Sequence, residues 1–357
     1  MPSALRAARG GAGVAANPSV STEFDVRACH GLIPALRQDP YGLRYGPCGP
    51  EDALLGELDQ QPSGDLAPAL QAILATYHTS VLCDRPRALS HARRVLPAAT
   101  GLFDLSAPIV PETISVLLFC DQLDEARQAV QDWLRVTQSR GLPVASSVAA
   151  SFASFVALHA GAVSESAAWA RQALDASGSL WVSPIAVAVL VLALIERGDS
   201  AAAHRELAAY GLAGDLGRTW PANRVRYARG CLHAADGDHR RAADDLLAAG
   251  DLAERWRMRN PALMPWRSAA ALSLAALGRA ADARQLCAEE LRLARSWGPG
   301  RSRLRAAPLR GPDPGQGAAA SGFGPRARQR RPGPGRAGPQ RTHHRRRPAA
   351  AAGDTRT

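Results

Sequence analysis

Residues able to carry out chemistry are scattered along this 357-residue chain, without the spacings that catalytic and metal sites use. No lysine occurs anywhere, so every positively charged side chain except histidine is an arginine. A P-loop needs a lysine on the β- and γ-phosphates, which excludes an ordinary ATP site of that kind. The sequences G-x-S-x-G, H-E-x-x-H and C-x-x-C are also absent. We therefore expect no catalytic residue, no cofactor, no bound metal and no enzymatic activity.

The histidines lead to the same expectation. His233 and His239 flank Gly237, but no carboxylate or third ligand stands at metal-binding spacing from them. His343 and His344 lie among arginines, whose charge repels a metal cation. These histidines are therefore interpreted as surface or interhelical residues rather than ligands.

The segment GDHRRAADD, residues 237–245, is rich in acids and bases. On a helix it forms a solvent-exposed face at the start of a repeat. Arg240 and Asp244 are placed there as an i,i+4 ion pair, worth about 0.2–0.5 kcal/mol. The segment predicts no acid–base catalysis.

The cysteines and the apolar runs indicate in which cellular compartment the protein is expected. The longest apolar run, Ile185–Ile195, has 11 residues, whereas a membrane-spanning helix needs about 20. The N-terminal residues contain no continuous apolar stretch of the signal-peptide type. The cysteines lack the close pairs of a disulfide framework or zinc site, so we expect free thiols in a reducing cytoplasm. They are Cys29, Cys48, Cys83, Cys120, Cys231 and Cys287.

A repeat of about forty residues becomes visible when the helix breaks are aligned. A glycine ends an apolar helix at four positions, with spacings of 37, 39 and 41: Gly161, Gly198, Gly237 and Gly278. An alanine follows each glycine after five or six residues: Ala167, Ala203, Ala242 and Ala283. Weaker copies break at Cys83 and Asp121, followed by Ala88 and Ala126. The pattern indicates six helical hairpins.

The residue types at the turn of one repeat predict the fold. A glycine takes the left-handed conformation that ends a helix, and a small side chain then lets two antiparallel helices approach closely. Further helix starts are predicted at Ser183-Pro184 and Asn260-Pro261, where a capping side chain precedes a proline. We predict an all-α, tetratricopeptide-like solenoid of helical hairpins over residues 63–298. At least ten helices and no sheet are expected, and an irregular helical bundle is the alternative.

Both ends of the chain differ from the repeats. Residues 1–62 are rich in Gly and Pro and predict an irregular or poorly ordered segment. Residues 299–357 are rich in Arg, Pro and Gly without apolar periodicity, which predicts a disordered tail. From residue 298 to 357, 14 arginines and two aspartates leave a surplus of 12 positive charges. That is one more than the whole chain carries, so residues 1–297 have a net charge of −1.

Three origins of the tail stay open. Its sudden start after Trp297, and its Arg/Pro/Gly/Ala composition, are those expected if GC-rich DNA were translated out of frame. A solvated linker and a functional basic tail are the other two interpretations. A basic tail contacts DNA through phosphates and reads no base sequence.

Residues 259–298 carry the most specific resemblance, in the segment RNPALMPWRSAAALSLAALGRAADARQLCAEELRLARSWG. It resembles the tetratricopeptide-like region of the large ATP-binding LuxR-type (MalT-like) transcriptional regulators of actinobacteria. The segments DQLDEARQAVQDWL and GDHRRAADDLLAAGDLAERW are similar to other hairpins of that region. The resemblance covers about Leu66 to Gly298. It implies a non-catalytic sensor or interaction region that binds a protein partner or a small inducer in the repeat groove.

Departures from the family limit what the resemblance implies. The family's architecture places an ATPase before the repeats and a helix-turn-helix after them. This sequence has no ATPase motif, and its tail lacks the apolar pattern of a helix that reads the major groove. Neither ATP hydrolysis nor specific DNA binding can therefore be assigned to residues here. A stand-alone tetratricopeptide-like adaptor for protein–protein interaction is the alternative function.

The tail generates a prediction about salt. Its arginines should bind DNA only by displacing counterions, so binding of the chain to a duplex should collapse between about 50 and 200 mM salt. The binding should be equal for unrelated duplex sequences, as measured by fluorescence anisotropy. A preference for one sequence that persists at 200 mM salt would contradict it.

Overall fold

The structure is a computed structural model that describes residues 68–99, 109–177 and 182–298. These ranges contain twelve α-helices, one π-helical segment and no β-strand. The all-α class and the prediction of at least ten helices are thereby confirmed. The predictions for residues 1–62 and 299–357 fall on residues outside the described ranges.

The helices follow one another with short connections. The first six are α1 (Pro68–Tyr77), which continues as a π-helical segment (His78–Leu82), α2 (Arg85–Ala99), α3 (Ile109–Phe119), α4 (Leu123–Ser139), α5 (Pro143–His159) and α6 (Val163–Ser177). The last six are α7 (Val182–Glu196), α8 (Ser200–Ala209), α9 (Trp220–Ala235), α10 (His239–Arg255), α11 (Trp266–Ala276) and α12 (Ala280–Trp297). Taken in pairs, they form the six hairpins expected from the sequence.

All six predicted breaks lie at the turns within hairpins, and all six residues have positive φ. The values are 55° for Cys83, 58° for Asp121, 79° for Gly161, 73° for Gly198, 82° for Gly237 and 79° for Gly278. In the fifth hairpin, Gly237 N donates to Ala234 O at 3.1 Å and Asp238 N to His233 O at 2.9 Å. These are the two bonds that satisfy the last carbonyls of a helix ending in a left-handed residue.

The alanine after each turn is buried against the partner helix. Ala88, Ala126, Ala167, Ala203 and Ala242 are at most 1% exposed, and Ala283 is 6% exposed. The predicted burial of Ala203, Ala242 and Ala283 is confirmed. A methyl group at this position lets the second helix start directly beneath the turn.

The hairpins stack in chain order. Each first helix contacts the first helix of the next hairpin, from α1 and α3 through to α9 and α11. The second helices α2, α4, α6, α8 and α10 contact the first helix that follows them. This nearest-neighbour order is that of a helical-repeat solenoid, in which each unit covers the apolar face of the next.

Two glycines lie at close helix approaches in the second half of the chain. A Cβ atom added to Gly250 on α10 would lie 2.4 Å from the indole of Trp266 on α11. A Cβ added to Gly230 on α9 would lie 2.7 Å from Leu246 on α10. These distances leave no room for even a methyl group. Glycine at these two positions lets the Trp266 side chain pack directly on the backbone of α10, and the Leu246 side chain on the backbone of α9.

The apolar run in the middle of the chain forms the core of the stack. Every residue from Ala186 to Ile195 on α7 is at most 7% exposed. The helix is covered by α5, α6, α8 and α9. No helix in the described ranges is both long and apolar enough to cross a membrane.

Ala242→Leu tests the hairpin geometry. Three extra carbons beneath the turn at Gly237 should overpack the α9–α10 contact and lower the free energy of unfolding by about 1–3 kcal/mol. Ala248 lies on the same helix but is exposed, so Ala248→Leu is the matched control and should change stability by less than about 0.5 kcal/mol. Urea unfolding followed by circular dichroism measures both. Equal midpoints for the two variants would contradict the close approach at Ala242.

Candidate functional site

The row of first helices curves enough for non-adjacent hairpins to contact each other. Arg224 on α9 places its guanidinium carbon 4.6 Å from the centre of the Phe155 ring on α5, although α7 lies between these helices in chain order. Phe119 on α3 meets Phe155 edge to face at 6.1 Å. The Arg224 guanidinium also lies 5.4 Å from the Trp220 ring. These four residues form what we call the aromatic–arginine surface.

The connection between α10 and α11, residues Trp256–Pro265, lies against this surface, and we call it the strap. Although it is not helical, four of its side chains are buried as deeply as those of a core helix: Met258 5%, Asn260 2%, Leu263 5% and Met264 4% exposed. Arg224 Nη1 donates a hydrogen bond to Leu263 O. Trp256 meets Trp220 edge to face at 6.3 Å. The strap is thus a non-helical segment of the chain, with turns at residues 256–257 and 261–263, seated on the aromatic–arginine surface.

The start of the strap corrects one prediction. Asn260-Pro261 was expected to begin a helix, but α11 begins at Trp266. The Asn260 side chain instead accepts a bond from Ala262 N at 3.0 Å, which closes a turn within the strap. Asparagine followed by proline favours such a turn as readily as a helix cap. The left-handed φ of 59° at Arg257 ends α10 and directs the chain into the strap.

Little empty space remains beneath the strap. A cavity of about 30 Å³ lies among Phe155, His159, Arg224, Tyr227 and Leu263. By volume it holds about two water molecules. A small inducer would need the strap to move before it could enter. As it stands, the surface holds a non-helical segment of the chain itself, through one guanidinium-to-carbonyl bond and through apolar side chains.

The predicted acid–base segment forms part of a charged cluster between α8, α9 and α10. Arg229 Nε and Nη2 donate to the two carboxylate oxygens of Asp245, each at 2.7 Å, and both side chains are 14% exposed. His233 Nε2 lies 3.8 Å from Asp245 Oδ2. His204 Nε2 lies 2.6 Å from Asp236 Oδ2, on the exposed side of the cluster. His233 is thus an interhelical residue, as the sequence indicated.

Other residues singled out in the sequence stand apart from this cluster. His239 begins α10. The predicted ion pair between Arg240 and Asp244 does not form; Arg241 pairs instead with Asp238, at 3.5 Å. Asp238 caps α10 by accepting a bond from Arg241 N at 3.1 Å. Within the described part of the chain, no three His, Cys, Asp or Glu side chains come together as a group able to hold a metal ion.

The cysteines of the described ranges are free thiols, as expected for Cys83, Cys120, Cys231 and Cys287. Burial raises the pKa of the Cys120 thiol to about 12, because the thiolate would lose its hydration. Burial, with a contribution from Glu290, raises the pKa of the Cys287 thiol to about 11. Both thiols are protonated at neutral pH and are poor nucleophiles. Cys29 and Cys48 lie outside the described residues.

Sequence reasoning missed the buried arginines and the asparagine that organise this region. Arg267 is 1% exposed, pairs with Glu254, and lies 3.6 Å from Glu289. Its guanidinium lies 4.5 Å from the centre of the Trp266 ring. Arginine is abundant throughout the sequence, so its type and spacing gave no signal. Only burial of the side chain separates Arg224 and Arg267 from the other arginines of the described residues, which are partly or fully exposed.

Comparison of the chain with protein-family models finds no match, and no curated protein is significantly similar to it.

The charged cluster generates a prediction about pH. Burial lowers the pKa of His233 below its ordinary value of 6.5, although the Asp245 carboxylate opposes the shift. The unfolded chain therefore takes up this proton at a higher pH than the folded chain, and the folded state loses stability as pH falls through 6.5. In His233→Gln, which cannot titrate, that loss should be absent. Urea midpoints at pH 7.5 and pH 5.5 should fall further for the parent chain than for the variant.

An equal fall for both proteins would show that burial of His233 does not shift its pKa. A larger fall for His233→Gln would mean that attraction to Asp245 outweighs burial.

Proposed function

We propose that the chain is the non-catalytic, helical-repeat interaction or sensor region of a LuxR-type transcriptional regulator, without the ATPase and helix-turn-helix domains of that family. The observation that carries the proposal is the aromatic–arginine surface with a non-helical segment of the chain already seated on it. Curved stacks of helical hairpins use such surfaces to hold peptides, because aromatic rings and guanidinium groups contact a main chain without requiring one side-chain sequence.

The fold and the resemblance support the same proposal from two directions. The most specific segment of the resemblance, residues 259–298, comprises most of the strap and the whole sixth hairpin. Six hairpins with the same turn chemistry are consistent with the repeat region of a large regulator. The partner is a protein segment, or a small inducer that enters when the strap moves. A cytoplasmic location belongs to this proposal, since a regulator of this class works beside DNA.

A stand-alone adaptor is the second candidate, and the same surface supports it. The adaptor needs no DNA-binding domain, so it accords with a chain whose tail has no apolar periodicity. The two candidates differ in what the coding DNA holds after Trp297, not in how the repeats bind.

Reading that DNA in all three frames tests the regulator proposal. We expect an alternative frame after Trp297 to encode further Ala/Leu-rich helices with the forty-residue rhythm, followed by a helix-turn-helix. The protein expressed in that restored frame should bind a specific duplex at 200 mM salt, whereas the present chain, as matched control, should not.

Early stop codons in both alternative frames, or frames without helical periodicity, would refute the regulator origin and leave the adaptor. A restored protein that binds every duplex equally would refute the DNA-reading role in the same way.

A further inference from the structure

Two first helices have their last carbonyl groups bonded by residues far along the chain. Asn260 Nδ2 donates to Thr79 O at 2.8 Å, across 181 residues. Trp297 Nε1 donates to Phe119 O at 3.2 Å, across 178 residues. The end of a helix leaves up to four carbonyls without donors inside the helix. The second half of the chain therefore completes the ends of helices in the first two hairpins.

Main-chain contact reinforces the first of these bonds. Arg259 N donates to Ser80 O at 3.3 Å, next to the bond from Asn260. Thr79 and Ser80 are 1% exposed, and both lie in the π-helical segment His78–Leu82. That segment ends at Cys83, a non-glycine residue in the left-handed conformation. Both features are uncommon and cost conformational energy, so the surrounding contacts must hold them in place.

The remaining first helices are completed locally. In α5, Ala162 N donates to Ala157 O at 2.9 Å, and in α7, Asp199 N donates to Leu194 O at 2.9 Å. Helix α3 also has such a bond, from Gln122 N to Leu117 O at 2.9 Å, but its Phe119 carbonyl is bonded by Trp297. Bonds from distant residues thus complete the helix ends in the first two hairpins, where residues from the end of the stack contact them.

We propose that the strap is an internal latch: bonded through Asn260 to the first hairpin, it holds the array closed and covers the aromatic–arginine surface. Release of the latch parts the first hairpin from the strap, and when the bond from Arg224 to Leu263 O then also breaks, Phe155, Arg224 and Trp220 become accessible to a partner peptide. The strap occupies the place of that peptide in the closed state. The partner role of the exposed surface rests on the proposed function, whereas the latch itself does not.

The strap has the construction of a latch rather than of a further repeat. It has no helix of its own, and its attachment to hairpin 1 includes the bonds from Arg259 and Asn260. Within the second half of the chain it is held by the bond from Arg224 to Leu263 O and by the contact of Trp256 with Trp220. Breaking the first attachment leaves the second intact, so the strap can leave hairpin 1 while hairpins 5 and 6 stay folded.

Hydrogen exchange of the full chain tests the latch, with Asn260→Ala as the variant. Asn223→Ala is the matched control, because Asn223 is also fully buried and its Nδ2 donates to a main-chain carbonyl, Ala249 O, at 3.0 Å. That bond is local to hairpin 5. Asn260→Ala should accelerate exchange about tenfold or more in both 78–82 and 256–265, since each segment loses the other's support. Exchange in α5 and α6 should stay unchanged.

The control should accelerate exchange in α9 and α10 only. Small-angle X-ray scattering should show a larger radius of gyration for Asn260→Ala and no change for Asn223→Ala. Acceleration confined to 256–265, or spread evenly over all helices, would refute the latch. So would an increase in radius in both variants.

If Asn260→Ala does not fold, Trp297→Phe tests the closure of the array through the second long-range bond. Phenylalanine keeps an aromatic ring and removes the Nε1 donor to Phe119 O. Exchange at the end of α3 and in the last turn of α12 should then rise together, and acceleration limited to α12 would refute long-range closure. None of these measurements involves DNA, so the latch can fail while the regulator proposal stands, and the reverse.

Discussion

In each hairpin, a left-handed residue ends the first helix, and five or six residues later a buried alanine begins the contact with the second. The stack depends on this close approach. If the two helices of a hairpin were held farther apart, each would expose part of its apolar face, and the next hairpin would have no continuous surface to cover. The turn therefore fixes the geometry of one unit, and stacking repeats it. At Gly250 and Gly230 the same demand for closeness removes even the methyl group.

The fold could be predicted from the sequence because its determinants are local. Gly237 and Ala242 stand five residues apart, so turn and contact are read within a single window. Cys83 and Asp121 gave weaker signals because non-glycine residues rarely adopt positive φ, yet both adopt it. Their position after an apolar helix, not their residue type, identified them. The six-hairpin order then follows, since each unit can cover its apolar face only against its neighbours.

The surface on the inner side of the stack could not be predicted in the same way. Asn260 and Thr79 are 181 residues apart, and no periodicity relates them. The local signal at Asn260-Pro261 was ambiguous, because the bond from its side chain to a nearby main-chain N–H serves a turn and a helix cap alike. Arg224 was one arginine among many, and its position over Phe155 depends on the curvature of the whole array. Sequence therefore predicted the units but not the contacts that their stacking creates.

The bonds from the strap and from α12 to the first two hairpins close the array, and this changes how it responds to force or to a partner. In an open solenoid each unit depends only on its neighbours, so an end can fray without affecting the middle. Here the first hairpin receives hydrogen bonds from the strap, and the second receives one from the end of α12. Fraying at either end therefore leaves buried carbonyls without donors at the other, which raises the free energy of partly opened states. In the latch proposed above, a partner would have to supply equivalent donors to offset that penalty.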